Sequence, residues 1–343
     1  MARMGHRIEF LCPVMEAGGS RRCPSSTPLP GVTVYSIPLS MAQQPSCSCA
    51  YSSCLVQAFE FATQCAVFVS ESGRWVDAVV AHDWTAFPAG LAVSQLLNVP
   101  LVAYVHSLEV DRAPAAPSRA VMETERQGLA GATAIVAVSY YTKERIIREY
   151  AIAPAKVRVI HNGTDTPALE ELAQAETAAF HDALLQSSGP IVLFVGRLTA
   201  QKGPDLFLSI AEAVHAHIPS AQFAVVGRGD MASALAASAA ESAAGGCIYF
   251  AGFLPPAALR QLYCSASVCV CSSRSEPFGL AAAEAAACGC PVVISRKSGL
   301  GEILPHAIKL SADDTASWAT AVCDVIHNRN RDTVARARSC RRK

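Results

Sequence analysis

Ser272-Ser-Arg-Ser-Glu-Pro-Phe-Gly-Leu-Ala-Ala-Ala-Glu-Ala-Ala286 is the stretch around which the 343-residue chain is organised. A polar loop carrying Glu276 gives way at Pro277, whose ring fixes φ and whose nitrogen carries no proton. Phe278, Gly279 and Leu280 then open an Ala-rich helix. The first N–H groups of such a helix have no internal partner and its dipole favours an anion, so the turn is a candidate anion site. Glu284 follows Glu276 by eight positions, two helical turns or about 12 Å of rise if the stretch were helical throughout. A carboxylate before the helix start and another inside it can hold hydroxyls on either side of a bound diphosphate, a geometry that suits a nucleotide sugar. The plainer reading is an amphipathic helix with two solvated glutamates, and the rest of the chain decides between them.

Composition narrows the class. The length fits two domains. Hydrophobic residues make up 51%, inflated by Ala, and charged residues only 16%. Lys plus Arg and Asp plus Glu balance at 28 each, so no net field draws nucleic acid or anionic lipid. Basic residues crowd Arg329 to Lys343, a stretch expected to be a solvated tail. No apolar run is expected to reach the ~18 residues of a membrane span; Glu284, Gly289 and Pro291 break the run that begins at Leu280. The N-terminal Met-Ala-Arg-Met-Gly-His-Arg has no apolar h-region, so a cytoplasmic protein is expected. The fourteen cysteines include Cys47/Cys49, Cys269/Cys271 and Cys288/Cys290, spaced C-x-C rather than as zinc ligands. Cys269 and Cys271 fall in an apolar strand pattern and read as small buried hydrophobes; no metal is expected.

Taken in order, the chain alternates short apolar strands with helical patterns. Strands are expected at 7–12, 32–37, 76–81, 101–105, 132–138 and 156–160, with helices at 52–71, 86–97, 119–129 and 142–150. His161-Asn-Gly-Thr-Asp165 is a turn, a polar helical stretch follows at 168–186, and the rhythm resumes with strands at 191–195, 222–226, 247–251, 268–271 and 291–294. Apolar strands alternating with helices argue for parallel sheets covered on both faces. The expected fold is therefore α/β, with two Rossmann-like doubly wound parallel-sheet domains facing a cleft. Residues 1–162 form the first domain, 163–189 a linker and helix, and 190–343 the second.

Polar residues collect at the carboxyl ends of strands, where doubly wound sheets bind ligands. After 191–195 comes Gly196-Arg-Leu-Thr-Ala-Gln-Lys-Gly203, in which Arg197 and Lys202 supply two cations suited to a diphosphate. Gly227-Arg-Gly-Asp-Met231 follows the next strand, a weak signal for contact with a nucleobase or ribose. In the first half, 76–81 ends in His82-Asp-Trp84, and 101–105 ends in His106-Ser-Leu-Glu-Val-Asp-Arg112. His106 is bracketed there by Glu109, Asp111 and Arg112, polar residues not expected in a core.

Assembled, these residues resemble a family 4 glycosyltransferase of the two-Rossmann (GT-B) type from about His6 to Asp324. The resemblance rests on Glu276-Pro-Phe-Gly-Leu with Glu284 (an E-x₇-E pattern), Phe194-Val-Gly-Arg-Leu-Thr-Ala-Gln-Lys-Gly203, His161-Asn-Gly163 and Ala287-Cys-Gly-Cys-Pro-Val-Val293. His82-Asp-Trp84 with Val105-His106-Ser-Leu-Glu109 is similar to the glycogen- and starch-synthase-like branch. It implies retaining transfer of a hexose, glucose first, from an ADP- or UDP-linked sugar to a carbohydrate acceptor such as an α-glucan, with no metal or other cofactor. By that resemblance Gly196, Arg197 and Lys202 face the diphosphate with the Gly279 and Leu280 N–H groups, beside Phe278. Glu276 holds sugar hydroxyls, Glu284 the ribose, and His106 the transferred sugar, while Asp83 and Trp84 lie on the acceptor side. A non-catalytic nucleotide-sugar-binding protein and a nucleotide-sugar epimerase are the alternatives.

The chain departs from the family at its start. Family members open with a strand, a Gly-rich loop and a helix, whereas Met4 to Pro13 resembles the family's second strand. Gly18-Gly-Ser20 is no substitute, because Pro24, Pro28 and Pro30 follow where a helix should begin. In the order 3-2-1-4-5-6 the first strand lies mid-sheet, so a chain truncated there, or built otherwise, is expected to show two unpaired edges and an apolar groove. The family's last helix is likewise expected to be cut short, with only Asp332 to Lys343 remaining.

Overall fold

A computed structural model describes residues 5–15, 24–26, 30–39, 50–164 and 189–340. The expected helix at 168–186 and most of the linker lie outside them. The chain divides into two compact units. The first comprises Met1–Val110, Pro114–Val138 and Thr142–Ile160; the second comprises His161–Lys343 with the short segments Asp111–Ala113 and Ser139–Tyr141.

In the first unit β1 (Ile8–Met15) runs parallel to β3 (Val32–Leu39), with Ile8 opposite Val32 and Met15 opposite Leu39, and β2 (Pro24–Ser26) pairs antiparallel on the other side of β3. A separate parallel sheet orders β4 (Val79–His82), β5 (Leu101–Val105), β6 (Ala134–Ala137) and β7 (Val157–Val159) side by side. Their alternating buried residues, Leu101, Ala103, Val105, Ile135 and Ala137, pack with Phe87, Val121, Leu129 and Ile146 of the covering helices. Among the described residues no ladder joins β1 to β4. Both strands instead line an apolar cavity of about 580 Å³ together with Phe61, Phe68, Ala89 and Val93. Among the described residues, β1 and β4 each have one edge without a ladder partner, and both border this cavity.

The reading of the apolar runs needs one correction. The helix over Ser53–Ser72 is long and apolar enough to cross a membrane by length and composition. Gln57, Glu60 and Gln64 punctuate it, so the sequence shows no continuous apolar run there. Its Phe61, Cys65, Phe68 and Val69 pack with Tyr35, Ile37 and Leu39 of β3, while Val56, Phe59 and Val67 on the same helix are exposed.

The second unit has one six-stranded parallel sheet. Its strands are β8 (Ile191–Val195), β9 (Gln222–Val226), β10 (Ile248–Gly252), β11 (Val268–Cys271), β12 (Val292–Ser295) and β13 (Ile308–Leu310), ordered β10-β9-β8-β11-β12-β13. Counted within the unit this is 3-2-1-4-5-6, the order of a dinucleotide-binding sheet. The central β8, Ile-Val-Leu-Phe-Val, is apolar throughout because both its faces are covered. One face packs with Phe207, Val214, Trp318 and Val322, the other with Leu262, Tyr263 and Ala285. The helix Thr315–Cys340 runs through most of the stretch expected to be a tail, because Ala and Arg there are good helix formers. β13 went unread because its three residues are too short to show a period.

Candidate active site

The loops after β8 and β11 are knitted together in the second unit. Gly203 has φ 63°, and a Cβ there would sit 2.4 Å from the Ser272 carbonyl oxygen, so only glycine lets the loops touch. The Ser272 hydroxyl donates to the Gly203 carbonyl at 2.8 Å. This contact brings Lys202 to Glu276: Nζ lies 2.6 Å from Oε2, and the same oxygen accepts from the Ser273 hydroxyl at 2.9 Å. The Glu276 backbone is fixed as well, its N–H donating to the Lys297 carbonyl and its carbonyl accepting from Gly299 N–H. Only 5% of Glu276 is exposed, and a buried carboxylate at this depth needs such a cation. Arg197 donates to the Gln201 amide oxygen at 3.3 Å, and Gln201 in turn donates to the Ser275 carbonyl at 3.2 Å. Beside them Arg274 grips Asp205 through two hydrogen bonds, which holds the Asp205 carboxyl below its ordinary pKa.

The helix at the centre of the reading runs from Leu280 to Ala287, with Gly279 as its N-cap. Ala283 N–H is the amide that bonds back to the Gly279 carbonyl, so the N–H groups ahead of it are the unsatisfied ones of the first turn. Phe278 is buried and its carbonyl takes bonds from Leu300 N–H and the Ser298 hydroxyl; Leu280 is half-exposed. Inside the helix, Glu284 accepts from the hydroxyl of buried Tyr263 at 3.2 Å. Burial, then the neighbouring Cys269 and Glu284, push the Tyr263 phenol far above its ordinary pKa, so it remains a proton donor. Cys271 is pushed up to about 12, first by burial and then by Glu276, which leaves it an inert thiol. Gln201, Ser273 and Tyr263 join the expected residues: Ser273 lies three positions before its partner Glu276, whereas the topology brings Gln201 to Ser275 and Tyr263 to Glu284. Gly227 has a structural explanation: a Cβ there would lie 1.8 Å from the Gly196 carbonyl oxygen, where the loops after β8 and β9 abut. At the start of this unit His161 Nε2 lies 2.7 Å from a Glu302 oxygen.

In the first unit Asp83 opens the helix Asp83–Leu97 with φ 58°, a left-handed conformation costly for a residue with a Cβ. Its Oδ1 accepts from the N–H groups of His106 (2.7 Å) and Ser107 (3.2 Å), so Asp83 fixes the backbone after β5. The His82 Nδ1 and His106 Nε2 atoms are 2.9 Å apart, and Tyr104 stacks against both rings. Burial, then the adjacent His106, lower the His82 pKa. Trp84 is buried in the core. Glu109 and Asp111 are also fully buried, against expectation, because each finds partners. Ser118 N–H donates to the Glu109 carboxylate at 3.0 Å, and Glu109 N–H donates to buried Glu125, which Tyr150 also contacts through its hydroxyl. Asp111 clusters with the second unit, where the Ser275 hydroxyl donates to it at 2.7 Å.

This fold recurs among known proteins. Sucrose-phosphate synthase from Thermosynechococcus elongatus superposes with a TM-score of 0.74 at 23% identity, covering 95% of this chain and 81% of that one. The architecture is GT-B: two Rossmann-like units, the second complete and the first lacking its central strand among the described residues. Residues 1–167 match the family described as Glycosyltransferase Family 4, and residues 189–328 match Glycosyl transferases group 1. A D-inositol 3-phosphate glycosyltransferase of Acidothermus cellulolyticus is 31% identical over 85% of this chain and 68% of its own length. An uncharacterized glycosyltransferase of Methanocaldococcus jannaschii is 32% identical over 68% of this chain, which spans 60% of that relative. The chain belongs to glycosyltransferase family 4.

Proposed function

We propose that this protein transfers a hexose, glucose first, from an ADP- or UDP-linked donor to a carbohydrate or polyol acceptor with retention at the anomeric carbon. The observation that carries the reading is the Lys202–Glu276 pair beside Arg197, at the carboxyl ends of β8 and β11. Without ligand the cation neutralises a buried carboxylate. A diphosphate would draw Lys202 and Arg197 to its oxygens and leave Glu276 to accept from sugar hydroxyls. The Gly279 and Leu280 N–H groups lie at the end of the helix dipole that favours such an anion, and Gly196 and Phe278 shape the adjoining turns. Glu284, oriented by Tyr263, would accept from the ribose.

In this mechanism the bond from C1 to the phosphate oxygen breaks as the acceptor oxygen approaches the same face. The acceptor proton passes to the departing phosphate oxygen, so no protein nucleophile is required. His106, held by Asp83 and His82, contacts the transferred sugar. No metal or other cofactor enters this scheme. The A. cellulolyticus relative is named for an inositol phosphate acceptor, and the resemblance in the first half favours an α-glucan. A cytoplasmic setting is supported by the ten described cysteines, all of them free thiols.

Nucleotide release tests this. ADP-glucose, UDP-glucose, GDP-mannose and UDP-N-acetylglucosamine are each supplied with maltooligosaccharide, with inositol 3-phosphate and with neither. The expected result is one donor whose release rises with one acceptor. Binding of a donor without release would favour a non-catalytic nucleotide-sugar-binding protein, a reading supported by the open groove of the first unit. No binding of any donor to the folded chain would overturn both.

A further inference from the structure

We propose that Ser275 is the positioning residue for Glu276 and is itself held by Asp111 and Tyr141, a buried polar chain that aims the carboxylate at the transferred sugar. This deepens the proposed function and rests on the role given there to Glu276. The second unit includes Asp111–Ala113 and Ser139–Tyr141, two short segments whose sequence neighbours belong to the first. Both segments bond to the loop after β11. The Ser275 hydroxyl donates to Asp111 Oδ1 at 2.7 Å, and the Tyr141 hydroxyl lies 2.9 Å from the same Ser275 oxygen. A serine hydroxyl has one proton, and here it goes to the carboxylate, so Tyr141 is the donor in the second bond. On the other side of Glu276, the Ser139 hydroxyl donates to the Pro277 carbonyl at 2.6 Å.

These contacts grip the chain around Glu276 and leave its carboxylate to other partners. The Ser275 carbonyl accepts from Gln201, Glu276 N–H donates to the Lys297 carbonyl, and Gly299 N–H donates to the Glu276 carbonyl. Tyr141 is fixed from behind: its N–H and that of Tyr140 donate to the two Glu302 carboxylate oxygens at 2.8 Å each, at the start of the helix Tyr140–Tyr150. Asp111, Ser139 and Ser275 are all buried. Such groups cost stability unless they are paired, and apolar side chains of similar size often pack as well or better. A satisfied polar network instead rigidifies its surroundings and selects one arrangement. Here that arrangement has a use. The Glu276 carboxylate is held by Lys202 and Ser273, and in the proposed mechanism the diphosphate draws Lys202 away. The grip through Ser275 then keeps the carboxylate in place for the sugar hydroxyls.

The test compares the wild-type chain with Ser275→Ala, Tyr141→Phe and the double variant. It reads kcat for transfer and, by calorimetry, the affinity for ADP or UDP alone and for the matching glucose-linked donor. Ser275→Ala should leave affinity for the bare nucleotide unchanged and weaken the glucose-linked donor about tenfold, the scale of one hydrogen bond. Its kcat should fall roughly tenfold to a hundredfold, as for a misplaced group at the reacting centre. Tyr141→Phe should show the same pattern at smaller size, because the Ser275–Asp111 bond remains. The double variant should be no worse than Ser275→Ala, since members of one hydrogen-bonded chain are not additive. Melting curves establish that each variant folds; should Ser275→Ala fail to fold, Tyr141→Phe carries the comparison. Equal weakening of bare nucleotide and donor would make the contacts structural only and overturn the proposal. So would a Ser275→Ala chain with wild-type kcat and donor affinity, which removes this role alone. A wild-type chain that neither binds nor uses any donor would remove the reading of Glu276, and this role with it.

Discussion

Lys202 and Glu276 answer to each other before any ligand arrives, and that single pair decides what a substitution does. Lys202→Ala removes the counter-ion of a carboxylate that is 5% exposed, so turnover should fall by roughly 10²–10³, the loss expected for one preorganised charge stabiliser. Stability should fall as well, by about 3–5 kcal/mol, because a buried charge is left unpaired. Arg197→Ala should lose comparable turnover with little change in melting, since among the described residues the Arg197 guanidinium bonds to the neutral Gln201 amide rather than to a carboxylate. Steady-state kinetics and thermal melts on the two variants separate these outcomes. Tyr263→Phe removes the hydroxyl that donates to the Glu284 carboxylate; the donor KM should rise several-fold at unchanged kcat, and discrimination against 2′-deoxyribose donors should shrink. Unchanged discrimination would deny Tyr263 that positioning role. His82 adds a pH effect. Its pKa is lowered in the fold, so the unfolded chain binds the extra proton first as pH falls. Stability is therefore intact above the ordinary histidine pKa of about 6.5 and is lost as pH drops below it toward the folded value. His82→Gln should flatten that limb in melts between pH 7 and 5.

At the scale of elements, the loops carry more than the helices. Gly203 precedes the helix Pro204–His217 in a left-handed conformation that a side chain would strain and that a Cβ would bring against Ser272. Gly203→Ala should cost at least about 1–3 kcal/mol and displace Lys202 from Glu276, so activity should fall along with the melting temperature. Trp318 lies at 0% exposure between the C-terminal helix and the sheet, its indole N–H on the Ser311 carbonyl at 2.7 Å. Trp318→Ala should cost about 3–5 kcal/mol by denaturant unfolding. The strands at 101–105, 191–195, 222–226 and 268–271 were legible residue for residue, because runs of Val, Ile and Leu between turn residues leave little choice of register. The placing of Arg197, Lys202 and Glu276 in the loops after β8 and β11 was legible from the strand pattern. Trp84, Glu109 and Asp111 were not: a sequence shows that a residue is polar or aromatic, but burial depends on whether a partner such as Ser118 or Ser275 arrives from elsewhere. The helix at 315–340 was missed for the opposite reason, its basic residues reading as solvated while its alanines and Trp318 carried the helical signal.

At the scale of whole units, the second holds one six-stranded parallel sheet, and the described residues of the first hold a three-stranded and a four-stranded one. The second carries the cations, the carboxylates and the helix N-terminus, and its order 3-2-1-4-5-6 explains why they meet: β8 and β11 are neighbours though far apart in sequence. The first carries His106 at the carboxyl end of β5. Donor binding should therefore survive in the second unit whatever is changed in the first. The most direct test of the account is the anomeric configuration of the product formed from an α-linked donor, read by NMR for the wild-type chain and for Lys202→Ala. The account predicts an α-linked product whose rate of formation falls at least about a hundredfold in the variant. A β-linked product, or transfer at an undiminished rate without Lys202, would contradict it.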